Sequence, residues 1–337
     1  MNKVNTLERL ACVLRRQGKA WRTEETYAHW SRRYIDWLLK VRPNGTSEKK
    51  VEGFLTALVR ERDVSPSTQN QAFNTLLFLY DHVWLQPLKE VDALRAKRPT
   101  YARTAPTIDE VVDLINAMDD TAECPARLIT KMLYGCGFRV NECLDIRIKD
   151  VRFPSRGETT KPGHFVIRAP KNGHDRMVPI PRSLLQEVRD QVARALQTEA
   201  VQRKRWPNIP LQVPFGLARK YPSAPWSQTW AFLFPAPRPA RHPRTKHLNR
   251  WRLMDNTIQL AFRGASRRAG ILSHITPHCM RHGFGTHFSG DIRDLQELLG
   301  HKSLETTMVY RHPEIDRARS PLDELGGARL AISDVRI

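Results

Sequence analysis

The chain has 337 residues, long enough for two domains each with its own core. Its 55 lysines and arginines against 35 aspartates and glutamates give a formal net charge of +20, which points to a polyanionic partner, nucleic acid first. No apolar run approaches the roughly 18 residues of a membrane span, Met1 to Arg15 lack an apolar signal core, and no amphipathic anchor or lipidation motif is present. A membrane-bound or secreted protein is therefore not expected. Cys12, Cys124, Cys136, Cys143 and Cys279 are scattered, with no CxxC pair. They read as reduced packing residues of a cytoplasmic protein, with no zinc or other metal indicated.

Residues Leu7 to Tyr80 read as helical throughout. Leu7, Leu10, Ala11 and Leu14 form a first apolar stripe. A long amphipathic helix begins at Thr23, with Tyr27, Trp30, Tyr34 and Trp37 recurring at three- and four-residue spacing. Ser47 to Val59 forms a third helix with Val51, Phe54, Leu55 and Leu58 inward. Ser65-Pro66 opens a fourth, as N-cap and first helical residue, with Phe73, Leu76, Leu77 and Tyr80 inward. Residues 1–92 thus read as a small helical bundle with many surface arginines, a DNA-gripping domain or a generic bundle with solvated charges. Residues 93–106 follow as a linker, in which Arg95, Lys97 and Arg98 precede Pro99. Composition fits a strap across a phosphate backbone and a plain connector equally.

The second domain, residues 107–337, opens on a capping box, Thr107-x-x-Glu110. From Leu133 to Ile146 the chain reads L-Y-G-C-G-F-R-V-N-E-C-L-D-I. Gly135 and Gly137 allow a tight turn, and Arg139 then projects from a helix start. His164 to Pro181 alternates like a hairpin around Asn172-Gly173, a strong turn signal, with Lys171 just before it. The fold class is mainly α with a small β-sheet, an α+β arrangement.

Residues 201–254 contain no Asp or Glu and interleave lysines and arginines with Trp206, Tyr221, Trp226, Trp230, Phe232, Phe234 and Trp251. Recurrent prolines argue for irregular structure. Charge can track phosphates while rings stack on base faces, at roughly 1–3 kcal/mol per base. An insertion packed on its own aromatics fits the composition as well.

The chemistry concentrates between Thr276 and Tyr310. His278 and Arg281 are three residues apart in T-P-H-C-M-R-H and share a helical face. Gly300 ends a helix carrying Leu295, Leu298 and Leu299, His301 follows at once, and Tyr310 lies beyond a further short helix opened by Ser303. Arginine matches phosphate oxygens with a planar fork, histidine moves a proton near neutral pH, and tyrosine can serve as a covalent nucleophile.

This stretch resembles the tyrosine recombinases, the phage-integrase superfamily. G-F-R-V-N-E resembles the first arginine box of that family, with Glu142 at its acidic position. The resemblance implies a SAM-like core-binding domain at the N-terminus. It implies Arg139, Lys171, His278, Arg281, His301 and Tyr310 as catalytic residues, with Lys171 as general acid for the leaving 5′-hydroxyl. It implies no cofactor, a homotetramer on DNA, and a tail, residues 313–337, docking on a neighbour. Within the superfamily, the R-T-E-E-T-Y-A-H-W run, the L-A-R-K-Y-P-S-A segment (Leu217 to Ala224), Trp230, Phe234-Pro235 and Ser320-Pro-Leu-Asp resemble integron integrases. That implies a double-stranded platform site, a folded single-stranded cassette site, and a bacterial, nucleoid-associated enzyme. DNA contacts would then fall on Arg95, Lys97, Arg98, Arg219, Lys220, Tyr221, Trp226, Trp230, Pro235, Trp251 and Arg252.

Two features depart from the family pattern. Trp251-Arg252 stands where adjacent histidines are common, and the helix after Arg281 looks about a turn short, with Gly283 and Gly285 inside it. Each interior glycine costs about 0.5–1 kcal/mol relative to alanine, so the short helix could preserve the face or mis-seat Arg281. A phage- or Xer-type recombinase acting on duplexes only, a catalytically impaired DNA-binding relative, and a basic RNA-binding protein are the other readings.

Overall fold

In a computed structural model of the chain, the described residues are 3–62, 64–89, 105–154, 162–168 and 175–300. The chain divides into two units, Met1–Ala102 and Arg103–Ile337. The architecture is mainly α-helical with small antiparallel sheets.

The first unit is built from α1 (Lys3–Arg16), α2 (Trp21–Val41), α3 (Ser47–Arg62) and α4 (Pro66–Phe78). The fourth helix starts as its sequence dictates: Pro66 fits the first turn, and the Ser65 hydroxyl accepts the Thr68 N–H at 3.4 Å. It continues into a π-helical turn over Leu79–Val83. Leu10, Leu14, Trp30, Tyr34, Phe54, Leu58, Phe73 and Leu76 share one core, with Leu7, Tyr27, Trp37 and Leu77 packed on its margin. The buried hydroxyls of Tyr34 and Tyr80 satisfy each other at 2.9 Å. Arg95, Lys97 and Arg98 lie outside the described residues.

The second unit opens on α5 (Ile108–Asn116), capped by Thr107 and Glu110 in both directions at 3.2 and 2.9 Å. Next come α6 (Ala126–Gly135) and α7 (Val140–Asp145). Gly135 therefore ends a helix, and the turn is left to Cys136 and Gly137. A three-stranded antiparallel sheet runs in the order β1 (Val151–Arg152), β2 (His164–Ile167), β3 (Arg176–Pro179). The hairpin register pairs Phe165 with Val178 and Ile167 with Arg176. Its turn, with Lys171, lies outside the described residues.

Helix α8 spans Leu185–Arg205, so the basic segment begins as continuous helix rather than irregular chain. The reason is local: the first proline after Val201 is Pro207, and one face of α8 is buried through Val188, Gln191, Ala195, Glu199 and Gln202. The remainder is irregular as expected, with short elements only: α9 (Phe215–Lys220) and the paired strands β4 (Ala240–Arg241) and β5 (Leu248–Asn249). Then α10 (Asp255–Arg268), α11 (Pro277–His287) and α12 (Ile292–Leu299) complete the described fold. One core joins α5, α6, the sheet, α10, α11 and α12 through residues such as Ile115, Leu133, Phe138, Phe165, Phe262, Phe284 and Leu298. Phe232 and Phe234, counted above among rings that could meet bases, are 2% and 0% exposed and belong to the interior.

An ion pair anchors the basic segment to α8. Arg250 Nη1 meets Glu199 Oε2 at 2.6 Å with the two side chains 1% and 2% exposed, and Arg250 Nε donates to the Ile209 carbonyl at 2.8 Å. Arg203 reaches the same carboxylate at 3.1 Å. Cys124, Cys136 and Cys143 are buried and Cys279 is partly so, whereas Cys12 is exposed. Among the described residues, no helix is long and apolar enough to cross a membrane.

Breaking a buried pair is costly because it leaves one charge without its partner. Arg250→Ala is expected to cost about 3–5 kcal/mol, seen by calorimetry as a lower unfolding transition of the second unit. The joint Glu199→Leu/Arg250→Met variant should recover most of that loss, since neither charge then remains.

Candidate active site

Helix α6 ends at Gly135, and Gly137 turns the chain with a φ of 63°, the left-handed region that glycine adopts without strain. A side chain there has no room: a Cβ would fall 2.5 Å from Phe284 Cδ1 and 2.9 Å from Leu299 Cδ2. Glycine thus lets the turn press against α11 and α12. Phe138 is fully buried, and Arg139 follows as the extended N-cap of α7. Its backbone N–H donates to Glu142 Oε2 at 3.0 Å, and its guanidinium meets Glu142 Oε1 at 2.6 Å.

Glu142 is the centre of the site. Its side chain is only 8% exposed, and it faces three guanidinium groups: Arg139 at 2.6 Å, Arg176 at 2.7 Å and Arg281 at 3.6 Å. Arg281 is 5% exposed and donates to the Gly137 carbonyl at 2.7 Å and the Leu299 carbonyl at 2.5 Å. Leu299 is the last residue of α12, where helix carbonyls lack intrahelical partners and the dipole favours a cation. Gly300 closes that helix in the left-handed conformation, φ 62° and ψ 47°, as its sequence position suggests.

The pKa shifts follow from burial and charge together. Burial raises the Glu142 carboxyl, but the hydrogen bond and charge of Arg176, with the backbone and side chain of Arg139, bring it below the usual carboxylate range. Arg281 falls to about 10, first through burial and then through repulsion from Arg139, against the pull of Glu142. It stays protonated at neutral pH. Arg139 is the outward member of the cluster, with 42% of its side chain exposed.

His278 lies in the first turn of α11, exposed, its ring edge-to-face with His282 at 4.6 Å. It and Arg281 leave successive turns as expected, but Arg281 turns inward while His278 meets solvent. The short helix after Arg281 still holds its place. Gly283 lets Tyr134 approach, since a Cβ would lie 3.3 Å from its ring, and the Tyr134 hydroxyl meets His287 Nδ1 at 2.9 Å. Lys171, His301 and Tyr310 lie outside the described residues.

The residues of the basic segment expected to contact DNA sort into two groups. Arg219, Lys220, Tyr221 and Trp226 are exposed, Tyr221 to 51% and Trp226 to 40%. The others are engaged within the chain. Lys149 Nζ sits 4.0 Å from the centre of the Trp230 ring, and the buried Arg147 lies 5.5 Å from the same ring. Trp251 packs beside His242, and Pro235 bridges to Arg252. Arg252 grips α7 itself, at 2.6 Å from Asp145 and 3.1 Å from Asn141. A cavity of about 300 Å³ between α8 and residues 234–237 is lined by Arg194, Arg205, Trp206 and Pro235, and by no member of the arginine cluster.

Sequence reasoning missed Arg176, and a signal was present. Cross-strand partners point to the same face, so an arginine opposite the inward Ile167 had to be buried or paired.

Two family descriptions match the chain: the phage integrase family over residues 107–317, and the phage integrase N-terminal SAM-like domain over residues 6–90. An integrase/recombinase of Escherichia coli is 36% identical, covering 96% of this chain and 95% of that protein. The tyrosine recombinase XerA of Pyrococcus furiosus is 28% identical, covering 90% and 88%. Among solved structures, a DNA-bound lambda integrase aligns over 94% of this chain and 96% of its own with a TM-score of 0.53 at 18% identity. A post-cleavage complex of the XerH recombinase gives 0.55 at 17% identity, over 86% and 75%. At these identities the structural likeness shows the fold.

A carboxyl whose folded pKa lies below its unfolded value stabilises the fold above the unfolded pKa, and that contribution is lost as pH falls through the folded pKa. Glu142 is such a group. Glu142→Gln is therefore expected to lower unfolding stability by about 3–5 kcal/mol at neutral pH. In urea titrations at stepwise lower pH, the gap between the variant and the natural protein should narrow. A gap independent of pH would contradict the ionised carboxylate.

Proposed function

This chain belongs to the phage integrase family, the tyrosine recombinases, enzymes that cleave and rejoin DNA strands, and we propose that it is a site-specific recombinase of the integron-integrase type. One observation carries the assignment of the chemistry. Arg139 and Arg281, far apart in sequence, meet on the single buried carboxylate of Glu142, so the fold builds a cluster with more positive than negative charge.

In the proposed reaction, Arg139 reaches a non-bridging oxygen of the scissile phosphate, and Arg281 behind it adds charge from the interior. Tyr310 attacks phosphorus. An ordinary tyrosine has a pKa of about 10, so its proton must be taken, and His278 at the surface of α11 is the acceptor. The bond from phosphorus to the 5′-oxygen breaks as the bond from phosphorus to the Tyr310 oxygen forms. Lys171 protonates the leaving 5′-oxygen, and His301 hydrogen-bonds the phosphate. The 3′-phosphotyrosine link conserves the bond energy, so a 5′-hydroxyl from another strand can reverse the step without ATP or a metal. Two duplexes exchange strands only if four protomers act together, and the tail, residues 313–337, docks on a neighbour. The enzyme works in the bacterial cytoplasm, on the nucleoid.

The integron-type substrate is supported by the exposed quartet Arg219, Lys220, Tyr221 and Trp226. Two cations and two rings at the surface suit the phosphates and unpaired bases of a folded single strand. The basic linker residues Arg95, Lys97 and Arg98 would track the backbone of the double-stranded site. A second reading, a phage- or Xer-type enzyme acting on duplexes only, is favoured by Trp230, Pro235, Trp251 and Arg252 being engaged within the chain.

Incubation with a nicked, hairpin-forming single strand, resolved on a denaturing gel, tests both layers. A covalent band lost in Tyr310→Phe is the expected result. A band on duplex sites alone would leave the duplex-only reading, and tight binding with no band on any site would indicate a catalytically impaired relative.

A further inference from the structure

Arg176 is assigned no part in the reaction just described, yet it is among the most committed side chains of the second unit. It stands on β3 opposite Ile167, with its side chain 10% exposed. Its Nη2 meets Glu142 Oε2 at 2.7 Å, its Nη1 lies 3.4 Å from Oε1, and its Nε donates to the Leu298 carbonyl at 2.9 Å. A Cβ on Gly300 would fall 3.2 Å from Nη1, so the guanidinium is packed beneath the left-handed turn that closes α12.

These contacts form a closed ring with those of Arg281. Consecutive carbonyls at the end of α12 are taken by two arginines, Leu298 by Arg176 and Leu299 by Arg281. Both arginines face the same Glu142 oxygen, Oε2, at 2.7 and 3.6 Å. The Arg139 guanidinium takes Oε1 at 2.6 Å, while its backbone N–H shares Oε2 with Arg176 at 3.0 Å. Arg176 and the Arg139 N–H together hold Oε2, which leaves Oε1 turned to the outward guanidinium. Arg281, 3.6 Å from the same Oε2, makes its short contacts with the Gly137 and Leu299 carbonyls instead.

We propose that Arg176 is a positioning residue of the strand-cleavage site, acting through Glu142 to aim Arg139 and through Leu298 to fix the end of α12 against the sheet. The inference rests on the phosphate-clamp reading given above. Lysine cannot replace it: the three contacts use Nε and both terminal nitrogens of a planar fork, and an ammonium offers a single point.

The test compares the natural protein with Arg176→Met and Arg176→Lys on two substrates. One carries an ordinary scissile phosphodiester, and the other an uncharged methylphosphonate at that position, which asks less of the arginine clamp. The readouts are the single-turnover rate of covalent adduct formation, the Kd for DNA, and the thermal unfolding transition. Arg176→Met should bind DNA as tightly as the natural protein but form adduct about 10- to 100-fold more slowly on the phosphodiester, as removal of a supporting partner generally does. On the methylphosphonate the ratio between natural protein and variant should shrink towards one. Arg176→Lys should fall between the two, and it carries the same comparison if Arg176→Met loses its unfolding transition. An equal loss on both substrates would mean a merely structural role and overturn the inference. So would adduct formation by both variants at the natural rate. Failure of the natural protein to form a Tyr310 adduct on either substrate would instead overturn the site reading beneath it.

Discussion

A carboxylate removed from water must be compensated, or it loses its charge. Glu142 meets that demand with guanidinium groups from three separate elements: the start of α7, strand β3 and helix α11. Arg139 needs the extended N-cap that only a turn at Gly137 can deliver, and that turn needs a residue without a Cβ because Phe284 and Leu299 press against it. The Gly137 carbonyl, exposed by the same turn, receives Arg281. One buried negative charge thus links the backbone geometry of a glycine turn, the register of a hairpin and the end of a helix.

The basic segment is organised on the same principle. Glu199 on α8 is buried and accepts Arg203 from its own helix and Arg250 from beyond it, and the Arg250 pair pins an otherwise irregular chain to a long helix. Arg252 then reaches back to Asp145 and Asn141 on α7, the helix that begins at Arg139. The segment is therefore mechanically continuous with the arginine cluster. A composition of many cations and rings does not reveal this division of labour. Arg147 lies under Phe232 at 4.1 Å and is 8% exposed, while Arg219 and Lys220 face solvent.

Much of this was legible in the sequence because it depends on spacing and on local chemistry. The apolar period of the first unit, the Thr107 capping box, the Ser65-Pro66 helix start and the Gly300 stop are short-range signals, and each is found where its residues imply. The convergence of Arg139 and Arg281 was legible only through family likeness, since no local rule joins them. The burial of Arg176, Arg250 and Arg147 was not read from the chain. An arginine in a sequence is equally a surface charge or a buried tie, and the choice depends on which carbonyls and carboxylates the tertiary fold brings to it. The same holds for aromatic residues: Phe234 and Tyr221 look alike in composition, yet one is wholly buried and the other half exposed.

The imbalance at Glu142 bears directly on what the site can do. Arg281 is held as a cation against burial and against repulsion from Arg139, which is why its pKa falls to about 10. An anion brought to the exposed face of Arg139 relieves that repulsion, and the relief grows with the negative charge on the anion. In phosphoryl transfer, charge spreads over the non-bridging oxygens as the transition state forms. A cluster already fixed to the carbonyls of Gly137, Leu298 and Leu299 does not have to reorganise to meet that charge. On the proposed reading, such a cluster would favour the transition state over the bound substrate, the differential binding on which catalysis depends. A neutral ligand would leave the repulsion in place. By the same argument, the overall charge of +20 steers a polyanion towards the protein, while on the proposed reading the local excess at Glu142 would act at the step in which that polyanion is broken.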